Sequence, residues 1–230
     1  MLFYLRKFIN TYAPLPIKIK GMRMYFGKSI HAINSRIWQD DLINKVDWYK
    51  KLDPVAIVLL EQIKKYVNKD EFVLDICCNI GRHLNYLTNE GYCNLYGFDI
   101  MKPAIVNMPL VFPKINYKNV LLGNAVDIIP KYDDNNFDWA YTHSATIELI
   151  HPSFKLHNEL NRIVKKGLIF LINENQQGFV RNYEKLFNSA GFITAKKMVV
   201  KSCKNYNFTL YVYIKNDFLP YYTEPDFLIG

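Results

Sequence analysis

The stretch VLDICCNIGRHL, residues 73–84, decides how this chain is read. It starts as a run of apolar residues that suits a buried strand and ends in residues that suit the first turn of a helix. Between them, where nucleotide-binding folds usually place three glycines, stand Cys77, Asn79 and Gly81. The dinucleotide pattern G-x-G-x-x-G is absent, so this loop gives no direct support for a nicotinamide cofactor. The spacing is instead acid-x-small-x-small-x-Gly, running through Asp75, Cys77, Asn79 and Gly81.

Working outward, the flanking sequence alternates between strand and helix patterns. Asp53 is a side-chain cap and Pro54 a first helical residue for DPVAIVLLEQIKKYV, because proline lacks an N–H that would be unpaired there. EFVLDI reads as the first strand and GRHLNYLTNEG as a helix ended by Gly91. NLYGFDI is a second strand, followed by a helix from about Lys102, and then come strands at NVLLGNA and FDWAYTH. A helix over residues 153–165 leads into a fifth strand, GLIFLINE, and a helix over residues 177–191 ends at Gly191. ITAKKMVVKS and FTLYVYIK follow with no helix between them. This alternation predicts a Rossmann-like α/β fold, a seven-stranded mostly parallel sheet with an antiparallel edge hairpin. An N-terminal helical extension or lid over residues 1–52 precedes a domain over 53–216, and residues 217–230 form a tail. In such a sheet a ligand sits beyond the carboxyl ends of the strands, next to strand one.

Composition narrows the class. The chain has 230 residues, half of them apolar, and a net charge of +8, enough apolar material for a sizeable core. No apolar run is long enough to cross a bilayer. The opening, MLFYLRKFINTYAPLPIKIKGMRMYFGK, mixes aromatics with bases and contains no acid. It lacks the features of a secretory signal, and a cytoplasmic protein is expected, with peripheral membrane contact open. That opening suits weak contact with an anionic membrane surface or nucleic acid, or simple packing of its aromatic face on the domain. The cysteines Cys77, Cys78, Cys93 and Cys203 form no CxxC pair and the histidines no HExxH spacing. Reduced, buried thiols and no metal are therefore expected. KYDDNNFD reads as a solvated turn because no ligand cage accompanies its acids.

The ordered series of motifs over residues 54–215 resembles the class I S-adenosylmethionine-dependent methyltransferases. VLDICCNIGRHLNYL is similar to that family's first motif, LYGFDI to its second, and LLGNAVDIIPKYDDNNFDWAYTHSATIELIHP to the segment around its fourth strand. LHNELNRIVKKGLIFLINE resembles the helix with a Glu-x-x-Arg pair before strand five. The resemblance implies S-adenosyl-L-methionine as cofactor. It assigns the methionine and ribose contacts to the loop of Asp75, Cys77, Asn79 and Gly81, with small residues letting the main chain approach. It places the ribose hydroxyls on Asp99, whose alternative role is to cap the helix after it, and adds Ile100 and Thr142 to the cofactor pocket. Adenine falls to Asn124 and the Ala125 N–H, with a plain strand-end turn as the other reading and Asp127 stabilising the loop.

Methyl transfer needs acceptor positioning and, for a hydroxyl acceptor, a general base. His143, at the end of strand four, is the first candidate, with Glu148 and His151 behind it and Glu174 at the rim; a local structural role competes for each. Glu159 and Arg162 read as a structural ion pair. Arg36, Trp38 and Tyr49 in the N-terminal helices could close an aromatic lid. CNIGRHLNYL, GNAVD and LIHPSFKLHNELNRI are similar to methylases of surface-polysaccharide and nonulosonic-sugar pathways. A small-molecule or sugar-containing biosynthetic intermediate is therefore the leading expectation for the acceptor, the sugar part resting on this looser resemblance. RNA or protein methylation, and a noncatalytic binding protein on the same fold, are the alternatives.

Overall fold

The structure is a computed structural model and describes residues 49–144, 147, 150, 152–173, 181–202 and 207–222. A seven-stranded sheet has the order β3-β2-β1-β4-β5-β7-β6. Its strands are β1 (Phe72–Ile76), β2 (Asn94–Asp99), β3 (Val120–Leu122), β4 (Phe137–His143), β5 (Val164–Asn173), β6 (Phe192–Lys201) and β7 (Asn207–Lys215). The helices are α1 (Pro54–Tyr66), α2 (Arg82–Asn89), α3 (Lys102–Val111), α4 (Ala125–Ile128), α5 (Leu156–Ile163) and α6 (Tyr183–Asn188). The first five strands run parallel, and β7 inserts antiparallel between β5 and β6. The expected edge hairpin is present, with β7 inside it.

Successive residues of a strand point to opposite faces, and both faces are buried. Val73, Trp139, Tyr141, Ile169 and Leu171 pack with α1, α2 and α3 in one cluster. Leu74, Ile76, Ala140, Leu168 and Phe170 pack with α4, α5 and α6 in the other. That is why the strands read as continuous apolar runs.

The Asp53–Pro54 start forms as expected, the Asp53 carboxylate accepting from the Ala56 N–H at 2.7 Å. Two boundaries differ from the sequence pattern. The helix placed over 153–165 spans only Leu156–Ile163, because Val164 already pairs with Phe137 of β4. The helix placed over 177–191 is α6 alone within the described residues. Cys77 and Cys78 are at least half-buried free thiols, whereas Cys93 is exposed, against the expectation of buried thiols. Cys203, Arg36 and Trp38 lie outside the described residues.

The chain passes β1, β2 and β3 toward one edge and returns to the other side of β1 for β4. β1 and β4 pair directly, but the connections that follow them lead to opposite sides of the sheet, which makes their carboxyl ends the switch point where such sheets hold ligands. No helix among the described residues is long and apolar enough to cross a membrane.

Candidate active site at the carboxyl ends of β1, β2 and β4

The loop after β1 has an unusual backbone. Cys77 (φ 61°), Asn79 (φ 51°) and Gly81 (φ 84°) are all left-handed, and they are the three positions where glycine would be expected. A left-handed conformation costs an ordinary L-residue roughly 1–2 kcal/mol, less for asparagine. Asn79 offsets part of this locally: its Oδ1 accepts from the Ile80 N–H at 2.7 Å. The Cys77 side chain packs against the second core cluster. Gly81 is constrained further, since a Cβ there would lie 2.9 Å from Ile115 Cδ1 and 3.0 Å from Met108 Cε. The turn closes by donation from the Gly81 N–H to the Cys78 carbonyl at 2.9 Å. Below it, Cys78 packs on Gly97 of β2, where any Cβ would meet the thiol at 3.1 Å.

Asp99 ends β2 beside this loop and is buried. Its Oδ2 accepts from the Asn79 N–H and its Oδ1 from the Met101 N–H, each at 2.8 Å. The carboxylate therefore ties the first motif to the residue before α3, while α3 itself, with Met101 at its N-cap, has no side-chain cap, so the capping role considered for Asp99 is not what it does. Each oxygen retains a second lone pair for a further donor. Burial pushes the carboxyl up to about 6 against the opposing pull of these N–H groups. Ile100 follows half-buried and packs against Ile80, Met101 and Ala104, as does Tyr49.

Beyond β3, Asn124 caps α4, its side chain accepting from the Val126 N–H at 3.2 Å. Ala125 is buried behind it. The Thr142 hydroxyl donates to the Ile76 carbonyl at 2.9 Å, holding β4 to β1. Its hydrogen is thus committed to the main chain.

His143, at the last position of β4, meets two residues that sequence reasoning did not single out. Arg82 Nη2 lies 3.2 Å from His143 Nδ1, and His83 Nε2 lies 3.4 Å from the same nitrogen. A guanidinium only donates, so Nδ1 is the acceptor and the neutral ring carries its proton on Nε2. Arg82 also donates to the Lys51 carbonyl at 2.9 Å and lies 3.7 Å from Asp53 Oδ2. Burial, then the Arg82 charge, lowers His143 to about 4. His83 is likewise lowered, by burial first and then by its neighbours His143 and Arg82.

Beneath them Asp75 is fully buried, its Oδ2 3.9 Å from His83 Nδ1 and without a hydrogen-bond partner. Burial raises its carboxyl to about 8, opposed by the neighbouring Tyr141 hydroxyl. Asp75 is thus protonated at neutral pH, and the network Asp75–His83–His143 is uncharged beside the cationic Arg82. The signal for it in the sequence was the pair Arg82–His83 directly after Gly81, which only the β1–β4 neighbourhood brings to His143.

Glu148, His151 and Glu174 lie outside the described residues. Among the described residues nearby, Arg181 donates to the carbonyls of Ile147 and Ile150. Glu159 and Arg162 form the expected structural pair at 2.9 Å. Arg162 also holds Asp134 at 2.9 Å, which makes KYDDNNFD an anchored turn. No metal-holding group of acids, histidines and cysteines occurs among the described residues.

Residues 74–172 match the family model described as a methyltransferase domain. No curated protein sequence matches the chain. Among solved structures, magnesium protoporphyrin IX methyltransferase from Synechocystis PCC 6803, with bound S-adenosylmethionine, is 12% identical with a TM-score of 0.61, over 80% of this chain and 97% of that one. The 1,6-didemethyltoxoflavin-N1-methyltransferase of Burkholderia thailandensis, with its substrate and S-adenosylhomocysteine, is 12% identical with a TM-score of 0.60, over 81% and 87%. The [4+2]-cyclase SpnF is 11% identical with a TM-score of 0.57, over 70% and 80%. At these identities the likeness speaks to the fold, and one fold hosts several reactions. The chain carries a methyltransferase domain on the class I fold. Residues 74–172 thus match a methyltransferase domain, and the fold that holds them is shared with solved methyltransferases.

Proposed function

We propose that the protein transfers a methyl group from S-adenosylmethionine to a small-molecule acceptor, a sugar-containing biosynthetic intermediate in the reading favoured here. The observation that carries this is the link between the first-motif loop and the end of β2. Three left-handed residues curl the main chain, and the Asn79 N–H fastens that curl to Asp99. Such a loop leaves room for a ligand against the backbone, and strained residues of this kind gather at ligand clamps. The second lone pairs of Asp99 suit two ribose hydroxyls. The Asn124 side chain and the Ala125 N–H suit an adenine edge, with Ile100 and Thr142 walling the pocket and Asp75 ordering the loop from below.

When bound, the cofactor supplies a sulfonium methyl group for in-line displacement. The chain's own part is to align the acceptor and exclude water. His143, neutral with its proton on Nε2, suits a hydrogen-bond donor that orients a group at the end of β4. An acceptor hydroxyl would pass its proton to the loop after β4, where Glu148 and His151 stand as the base candidates.

Calorimetry with S-adenosylmethionine and S-adenosylhomocysteine tests the cofactor reading, and micromolar binding is expected. Absence of binding at millimolar ligand sinks it. Labelled-methyl transfer to sugar nucleotides, RNA and protein then separates the acceptor classes, with incorporation into sugar nucleotides expected. Incorporation into RNA or protein alone replaces the acceptor reading.

A further inference from the structure

The edge of the sheet at β3, with α3 beside it, is apolar on its outside, and its stretch of chain is basic. From Pro103 to Pro113 the chain carries no charged residue, and between Asp99 and Asp127 it carries three lysines and no acid. An amphipathic surface helix buries one stripe and turns polar residues outward, but α3 does not. It buries Ala104 and Met108 while Val106 and Leu110, one turn apart on its outer side, stand 60% and 82% exposed. Tyr117, in the turn after α3, is 55% exposed, and Leu122, on the α3 side of the edge strand, 48%.

Lys102, Lys114 and Lys118, in the same stretch of chain, are exposed. Lys114 donates to the Asn89 amide oxygen at 3.1 Å, and among the described residues none of the three has an acidic partner.

We propose that this face docks the protein on an anionic lipid surface, Leu110 and Val106 entering the acyl boundary and Tyr117 and the lysines lying among the headgroups. Charge complementarity selects this occupant. A second copy of the chain seated symmetrically on the same face would bring three lysines against three, at a cost in like-charge repulsion. β3 is also only three residues long, a poor template for edge pairing. The exposed apolar groups protrude from a helix, the form in which apolar side chains enter a membrane interface between basic residues and an aromatic ring. Because α3 begins three residues after Asp99 and the Met101 N–H just before it is fastened to that carboxylate, docking would hold the carboxyl ends of the strands near the headgroups.

Flotation of the full-length protein with vesicles tests this. Wild type is expected to float with phosphatidylcholine–phosphatidylglycerol vesicles, to stay behind with phosphatidylcholine alone, and to be released by salt. Each lysine near an anionic surface is worth about fivefold in binding, so K114E with K118E should weaken flotation at least about tenfold. V106D with L110D should abolish it while thermal melting and S-adenosylhomocysteine binding stay unchanged. Wild type that fails to float, or wild-type flotation by either double variant, overturns the proposal. So does a wild-type dimer in sedimentation equilibrium that L110D dissociates, since that assigns the face to a second copy. The lysine variants lie on exposed turns and keep the test decisive if the apolar pair affects folding.

Discussion

Arg82 Nη2 stands 3.2 Å from His143 Nδ1, a contact between the first turn of α2 and the last residue of β4. Because only the histidine can accept there, the contact fixes its neutral tautomer, and burial beside the guanidinium lowers it to about 4. Nitrogen-15 NMR should show His143 protonated at Nε2 alone, with no titration between about pH 5.5 and pH 8. Arg82→Ala removes both donor and charge and should move the midpoint up from about 4, while burial, the larger cause, still holds it below the ordinary histidine value. A wild-type His143 titrating between pH 6 and pH 7 would restore it as a general base.

For Asp99 the ionised form is the one that can accept two backbone N–H groups and two ribose hydroxyls together. Its carboxyl is raised to about 6, so cofactor affinity should hold above that pH and fall below it, by up to about tenfold per pH unit. Asp99→Ala should abolish this dependence, weaken binding at least about a hundredfold and leave two buried N–H groups unpaired. The second effect costs roughly 2–4 kcal/mol of stability. Pairing the variant with a 2′,3′-dideoxy cofactor separates the two effects. Wild type should lose affinity for that analogue, and the variant should lose no more than it already has.

Asp75 and His143 push stability in opposite directions as pH changes. The Asp75 carboxyl is raised in the folded protein to about 8, so the folded state holds its proton more tightly. The stability this contributes is complete below about pH 4 and is lost as pH rises toward 8. His143 is lowered to about 4. Its contribution is complete above about pH 6.5 and is lost as pH falls to 4. The two offset one another between about pH 4 and pH 6.5, leaving Asp75 alone above that. Denaturant melts should therefore show stability declining from pH 6.5 to pH 8, by at most about 1.4 kcal/mol per pH unit. Asp75→Asn should flatten that decline. An unchanged slope in the variant would place the titrating group elsewhere.

The parts of this architecture that sequence conveyed are those that depend on neighbours along the chain. Asp53 and Pro54 start α1 through contacts within one turn, and the strands, buried on both faces, betray themselves as apolar runs. The start of β5 at Val164 was not legible, because it is set by pairing with Phe137, far away in sequence. The His83–His143 contact was hidden for the same reason: sixty residues separate the partners, and only the sheet order makes α2 and β4 neighbours. Cys77 is a different case. Its side chain suggested a question of room for the ligand, whereas the backbone adds a left-handed conformation that no side-chain pattern announces.

That conformation gives Cys77 a diagnostic response to substitution. At a position with ordinary φ, alanine is more stable than glycine because glycine loses more freedom on folding. At φ 61° the order reverses, since alanine keeps the clash of Cβ with the backbone and glycine does not. Both substitutions remove the same sulfur from the second core cluster, so the packing loss largely cancels in the comparison. Cys77→Gly should be more stable than Cys77→Ala by about 1 kcal/mol in urea melts. Because the side chain packs into the core, both variants should also bind S-adenosylhomocysteine within about threefold of wild type, a change under about 0.7 kcal/mol. Alanine proving the more stable would mean the loop is not left-handed at this residue. A loss of cofactor affinity beyond tenfold in both variants would instead make the thiol a direct contact of the ligand.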